Sequence, residues 1–365
     1  MNADTAACTA HGGPDALGLP RHDFSTNANA CGPCPLTLAC VQQADALHYP
    51  DPGYSELRAR LGAFHGVSPQ RVLPMASASE AMARFTAAAA RLGWRRVGYP
   101  AQHFGDVARQ TQAWGLTPVD QPTQADLWWA CEPGTPHGQN ATELAALSPG
   151  PEWVLDCAYA PLRLSGAPSL DDAALHQVWQ LWSPNKALGL TGVRAAYVLA
   201  PEHALTVHGQ PAAHASGQWL GAVQALAPSW VWGGHGVALL DAWCQPAVQH
   251  WLATSRQTLA RWKTRQLALC DTLGWAWQPS DANFHLAQPV PDAPTSQALA
   301  SLLSHLREHS GIKLRDAASF GLPGWVRLGV LPPESQQVLH QAVLAWRQRE
   351  TPAKSHSAPV RVNAT

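Results

Sequence analysis

Short apolar runs alternate with amphipathic stretches through the middle of this chain. The runs at residues 71–75, 96–99, 127–131, 153–155, 178–182 and 194–199 are a few residues long and bounded by turn formers, so they read as buried strands. Between them, Leu57, Leu61 and Phe64 recur at helical spacing. Residues 81–92 are strong helix formers, and helices are expected near 104–114 and 141–147. Alternation of this kind predicts a mostly parallel sheet covered on both faces, with ligands taken at the carboxyl ends of its strands. Pro246 then opens an amphipathic helix over 247–272. A smaller α+β unit follows, with strands near 284–286, 312–314 and 325–328 and helices near 297–308 and 333–349.

The two ends lack such periodicity. Residues 1–50 read as an extended arm, 51–245 as a large domain and 246–350 as a small one, with 351–365 a disordered polar tail. Of the 365 residues 46% are hydrophobic and 13% charged, with a net charge of −1. That composition suits a globular core and offers no electrostatic footprint for nucleic acid or an anionic membrane. The longest apolar runs fall short of a membrane span and the first residues show no secretion signal, so a cytoplasmic protein is expected. Its eight cysteines are scattered and read as free thiols. Cys31, Cys34 and Cys40 cluster, but they lack a second well-spaced pair, and no metal site is assigned.

Candidate chemistry concentrates in one segment, Ser183-Pro184-Asn185-Lys186-Ala187-Leu188-Gly189-Leu190-Thr191-Gly192-Val193-Arg194. A lysine delivered to the end of a buried strand is partly desolvated, which favours its neutral, nucleophilic form. Gly189 and Gly192 permit a turn that returns Arg194 to the same place, where it can hold an anion. A second anion site is expected at Ala76-Ser77-Ala78-Ser79-Glu80. There a strand feeds a helix N-terminus, and Ser77 and Glu80 have the spacing of a capping box. Asp156 follows the strand at 153–155, where a sheet of this class takes its ligand.

Taken in order, Tyr49-Pro50-Asp51-Pro52, Ser77-Ala78-Ser79-Glu80, Asp156 with Tyr159, Ser183 with Lys186, Arg194 and Arg327 resemble the motif series of the class I/II aminotransferases. The resemblance runs from about His11 to Arg349. It implies the fold type I of pyridoxal-phosphate (PLP) enzymes, the aspartate aminotransferase fold, and PLP as cofactor. On that resemblance Lys186 would form the Schiff base with the cofactor. Asp156 would pair with the ring nitrogen and Tyr159 with the ring hydroxyl. Ser77, Ala78, Ser79, Ser183 and Arg194 would cradle the phosphate. Tyr49 would reach it from the partner subunit, which implies a homodimer. Arg327 would clamp the substrate carboxylate.

Within that superfamily the chain resembles the threonine-phosphate decarboxylases of cobalamin synthesis, cousins of the histidinol-phosphate aminotransferases. His11-Gly12-Gly13, Ser25-Thr26-Asn27-Ala28-Asn29 and the stretch from Leu314 to Leu322 carry this. It implies that Arg315 meets the phosphate of a small phosphorylated amino acid, with Asn29 also at the substrate. The expected reaction is decarboxylation of L-threonine O-3-phosphate to (R)-1-aminopropan-2-ol O-phosphate. The alternative is amino transfer on histidinol phosphate or a related amino acid. The chain departs from the pattern at Thr135, where an asparagine usually bonds the ring hydroxyl. The aromatic that stacks on the ring is expected at Phe104, with Gln102 and His103 close by.

Overall fold

A central seven-stranded sheet organises the computed structural model, which describes residues 12–147, 150–206, 208–290 and 296–350. Its strands are β1 (Val72–Met75), β2 (Arg96–Gly98), β3 (Thr117–Val119), β4 (Leu127–Cys131), β5 (Glu152–Asp156), β6 (Trp179–Trp182) and β7 (Ala196–Leu199). They lie in the order β1-β7-β6-β5-β4-β2-β3. Every neighbouring pair is parallel except those of β7, which runs antiparallel to both β1 and β6. The sheet is covered on both faces, as β4 shows. Trp129 packs into one apolar cluster and its neighbour Trp128 into another, because successive strand residues point to opposite faces. On the first face Phe85, Trp179 and Trp219 meet edge to face, with centroid separations of 4.9–5.4 Å.

Helix α1 (Ala78–Arg91) starts directly after β1. Ser77 Oγ accepts from the Glu80 amide at 3.1 Å, and the Glu80 carboxylate reaches back to the Ala76 amide at 3.1 Å. The capping box read from the spacing is therefore present. Helix α2 (Pro246–Thr272) buries Val248, Leu252 and Leu259 in a cluster beside the large sheet and Cys270 in a separate one. At 1.5 Å per residue it spans roughly 40 Å, enough to join the two layers. The second layer is a four-stranded antiparallel sheet, in the order Arg315–Asp316, Val326–Gly329, Phe284–Gln288, Ala276–Trp277.

Several local expectations change. The helix expected at 141–147 is a 3-10 turn, Thr142–Ala146. The Ala141 amide is taken by the buried Glu132 carboxylate, and Pro149 follows too soon for a longer helix. The arm is not wholly extended, since Pro35–Gln42 is helical. The edge strand β3 and the helices Ala215–Ala225 and Gly234–Trp243 were not foreseen, because a polar edge and glycine-containing helices give weak periodicity. His11 and the tail at 351–365 lie outside the described residues. Among the described residues, no helix is long and apolar enough to cross a membrane. No group of three His, Cys, Asp or Glu side chains gathers there, and the seven described cysteines are free.

Candidate active site

The carboxyl ends of β1, β4, β5 and β6 open on one cavity of about 620 Å³. Asp156, the last residue of β5, is buried there beside Cys131 at the end of β4. Its Oδ1 accepts from the Ala158 amide at 2.9 Å. Burial raises its proton affinity, and the Lys186 charge works the other way. Tyr159 stands edge-on to Phe284, with ring centroids 4.8 Å apart.

After β6 the chain turns straight back into β7, and this loop carries Ser183, Lys186 and Arg194 into the cavity. Lys186 Nζ lies 5.0 Å from the Tyr159 ring centroid. The turn is held from within by Asn185, whose Oδ1 accepts the Lys186 amide at 3.0 Å. Its outer side is held by the Asn29 amide, which donates to the Lys186 carbonyl at 2.9 Å. Ser77, Ala78 and Ser79, at the amino end of α1, line the same cavity. Their helix offers free backbone amides and the positive end of its dipole.

The small sheet supplies the opposite wall. Arg315 and Arg327 are register partners on adjacent antiparallel strands and both line the cavity. Arg327 donates to Thr135 Oγ1 at 2.7 Å and to the Ser25 carbonyl at 3.1 Å. The Asn27 amide lies 3.4 Å from the Tyr159 hydroxyl. With its carbonyl oxygen on that side it accepts from Arg327 Nε and Nη1 at 3.2 and 3.3 Å. Arg315 donates to the Asp316 carbonyl at 2.7 Å and to Ser319 Oγ at 2.6 Å. Burial, and then the neighbouring Arg327 charge, pull its pKa down to about 10. Burial likewise lowers that of Arg327. Neither guanidinium has a carboxylate partner among the described residues.

Most expected residues therefore meet in one place, with one correction. Asn29 does not line the cavity. Its amide donates to the Ala187 carbonyl at 3.0 Å and its Oδ1 accepts from the Cys31 amide, so it pins the arm to the lysine loop. Thr135 lines the cavity, but its hydroxyl is engaged by Arg327. His103 and Phe104 both face the cavity, whereas Gln102 lines only the adjoining one. Tyr49 is 76% exposed and stacks on Trp230 with centroids 4.3 Å apart, outside its own chain's cavity. Asn27, Ser25, Ser319 and Phe320 also line the cavity. The only sequence signal for them was membership of the two segments already singled out.

The donor set fits PLP. Ser183 Oγ is buried without a hydrogen-bond partner, close in the chain to Arg194 and in the same cavity as the amino end of α1, which is what a phosphate group requires. A carboxylate for the ring nitrogen and an amine for the aldehyde stand in the same cavity.

Residues 158–344 match the family of class I and II aminotransferases. Histidinol-phosphate aminotransferases from Ruegeria pomeroyi and Paramagnetospirillum magneticum are each 27% identical to the chain, covering 89% and 88% of it and 91% and 90% of their own lengths. Among solved structures, the histidinol-phosphate aminotransferase of Sinorhizobium meliloti in complex with pyridoxal-5'-phosphate is similar with a TM-score of 0.75. It is 19% identical, over 96% of this chain and 98% of that one. The L-threonine-O-3-phosphate decarboxylase of Porphyromonas gingivalis is similar with a TM-score of 0.64 at 19% identity, over 85% and 92%. With the family match spanning half its length, and a lysine, an aspartate and a phosphate cradle gathered at the strand ends, the chain belongs to the class I and II aminotransferases and takes pyridoxal phosphate as its cofactor.

Proposed function

We propose that this enzyme transfers an amino group to or from a phosphorylated amine of the histidinol phosphate class. The observation that carries this reading is the Arg315–Arg327 pair, two buried guanidiniums facing one cavity with no carboxylate in ion-pair contact among the described residues. A pair of that kind requires an anionic ligand, and a planar fork suits phosphate or carboxylate. The histidinol-phosphate aminotransferases to which the chain is similar align along nearly all of it and support the amino-transfer reading.

When bound, the cofactor supplies a conjugated electron sink for the substrate carbon. The protein's residues do the rest. Lys186 would hold the cofactor, and its amine is placed to move a proton at the substrate carbon. Asp156 holds a proton on the ring nitrogen, and its burial keeps water from competing for that contact. Tyr159 would donate to the ring hydroxyl, and Phe104 would lie against the ring; both line the cavity. Ser77, Ala78, Ser79, Ser183 and Arg194 hold the phosphate, which Tyr49 of a second copy reaches in a homodimer. Arg327 and Arg315 orient the substrate by its anionic groups.

Decarboxylation of threonine phosphate is the second reading. Gly12, Ser25 to Asn27, and Arg315 with Ser319 and Phe320 come from the segments that resemble the decarboxylases, and all of them line the cavity. The two reactions differ in which bond of the substrate carbon is held perpendicular to the ring. The deciding experiment incubates the holoenzyme with histidinol phosphate plus 2-oxoglutarate, and separately with threonine phosphate. Glutamate formation in the first supports amino transfer. Carbon dioxide with aminopropanol phosphate in the second, and no glutamate in the first, overturns it.

A further inference from the structure

The Gly12-Gly13 pair has no part in cofactor chemistry, yet Gly12 lines the active cavity. A side chain there has no room. A Cβ on Gly12 would stand 2.3 Å from the Ser25 carbonyl oxygen and 2.6 Å from its carbon. The obstruction is backbone, which cannot swing aside as a flexible side chain does. Gly12 is also outside the left-handed region, unlike Gly13 at φ +92°, so contact rather than backbone conformation demands a glycine.

The obstructed atom is the one that matters. Ser25 O accepts from Arg327 Nη2 at 3.1 Å, while Thr135 Oγ1 and Asn27 take other donors of the same guanidinium. These acceptors are neutral. They fix the direction of Arg327 and leave its charge for a ligand. The arm itself is held in place from both sides. Gly13 N donates to Ser25 Oγ at 2.9 Å, and Lys313 Nζ donates to the Gly13 carbonyl at 2.7 Å. Lys313 also pairs with Asp15 at 3.3 Å, and Asp15 with Arg307 at 2.7 Å.

We propose that Gly12 is a positioning residue: by letting the arm's backbone lie against the Ser25 carbonyl, it sets the angle at which Arg327 meets the substrate's anionic group. The proposal rests on the reading of Arg315 and Arg327 as an anion site. A small side chain at position 12 displaces Ser25 O, turns Arg327 and loosens the bound anion, with the cofactor still seated.

Succinate, an unreactive dianion, tests this by calorimetric titration of the holoenzyme. Binding to the parent enzyme is expected. Gly12→Ala should weaken it at least tenfold, with the cofactor's visible band and its dissociation constant unchanged. Lys313→Met, which frees the Gly13 carbonyl, should weaken succinate binding a few fold. Leu19→Ala, at an exposed position of the same arm, should have no effect. Should Gly12→Ala fail to fold, Lys313→Met decides: succinate binding within twofold of the parent overturns the proposal, as does unchanged binding by a folded Gly12→Ala. A parent that binds no succinate overturns the anion-site reading as well, which separates the two failures.

Discussion

Arg315 and Arg327 stand directly opposite each other on neighbouring antiparallel strands, and their guanidinium carbons lie 5.1 and 5.6 Å from the centre of one ring, that of Phe320. Like charges in opposing positions destabilise a sheet. The ring offsets part of the cost through its quadrupole. An anion bound as proposed would relieve the remainder, so the strand pair would trade some stability of the free protein for binding.

Arg315→Ala should separate phosphorylated from unphosphorylated substrates. Loss of a charge-assisted contact worth roughly 2–3 kcal/mol lowers kcat/KM by about 30- to 150-fold on the phosphorylated amine. On the matching amine without phosphate the change should be slight. Steady-state kinetics on histidinol phosphate against histidinol provide the check, and equal losses on both would make Arg315 a structural residue.

Replacing Lys186 by Ala should abolish the visible absorption band of the bound cofactor and nearly all turnover. The spectrum of the purified variant after incubation with PLP is the measurement. An unaltered band would move the anchoring role elsewhere.

Asp156→Asn keeps the shape of the side chain and removes its charge. Activity should fall by several orders of magnitude with the fold intact, because a ring nitrogen without its proton is a poor electron sink. A fall of less than about tenfold, roughly 1.4 kcal/mol of barrier, would be incompatible with the assigned contact.

Acid should destabilise the fold through the buried His285 and the partly buried His65. His285 accepts from Gln266 Nε2 at 3.1 Å and donates from Nδ1 to the Leu286 carbonyl, so a second proton would set two donors against each other. Burial holds the pKa of His285, and that of His65, at about 4. In the unfolded chain they titrate near 6.5, so between about 6.5 and 4 the unfolded state binds more protons and stability falls as pH falls. Two and a half units correspond to up to roughly 3 kcal/mol per histidine. Urea unfolding at pH 7, 5.5 and 4.5 should show the decline, and His285→Gln should flatten it. An identical slope in the variant would remove His285 as a cause.

The parts of the site carried by single segments were legible in the sequence. Ser183, Lys186 and Arg194 share one loop, Ser77 to Glu80 one helix start, and Asp156 one strand end, so local spacing was enough to group them. The arm was harder. Ser25, Thr26 and Asn27 line the cavity in succession while Asn29 turns to the lysine loop, so the arm follows no regular periodicity that the sequence could report. The bond made by Thr135 was equally out of reach of the sequence. Its donor, Arg327, lies 192 positions later in the chain, and no local pattern reports that a distant guanidinium will donate to this hydroxyl.

The reversal of β7 has a wider consequence. In an all-parallel sheet, the residues after β6 would have to be followed by a crossover before the chain met the sheet again. Here the antiparallel return confines the proposed cofactor anchor, Lys186, and two proposed phosphate contacts, Ser183 and Arg194, to a single hairpin-like insert between adjacent strands. The arm is tied to that insert through Asn29 and Cys34, whereas the small sheet lies on a separate segment, so a change in the arm is felt at the lysine loop before a change in the small sheet is.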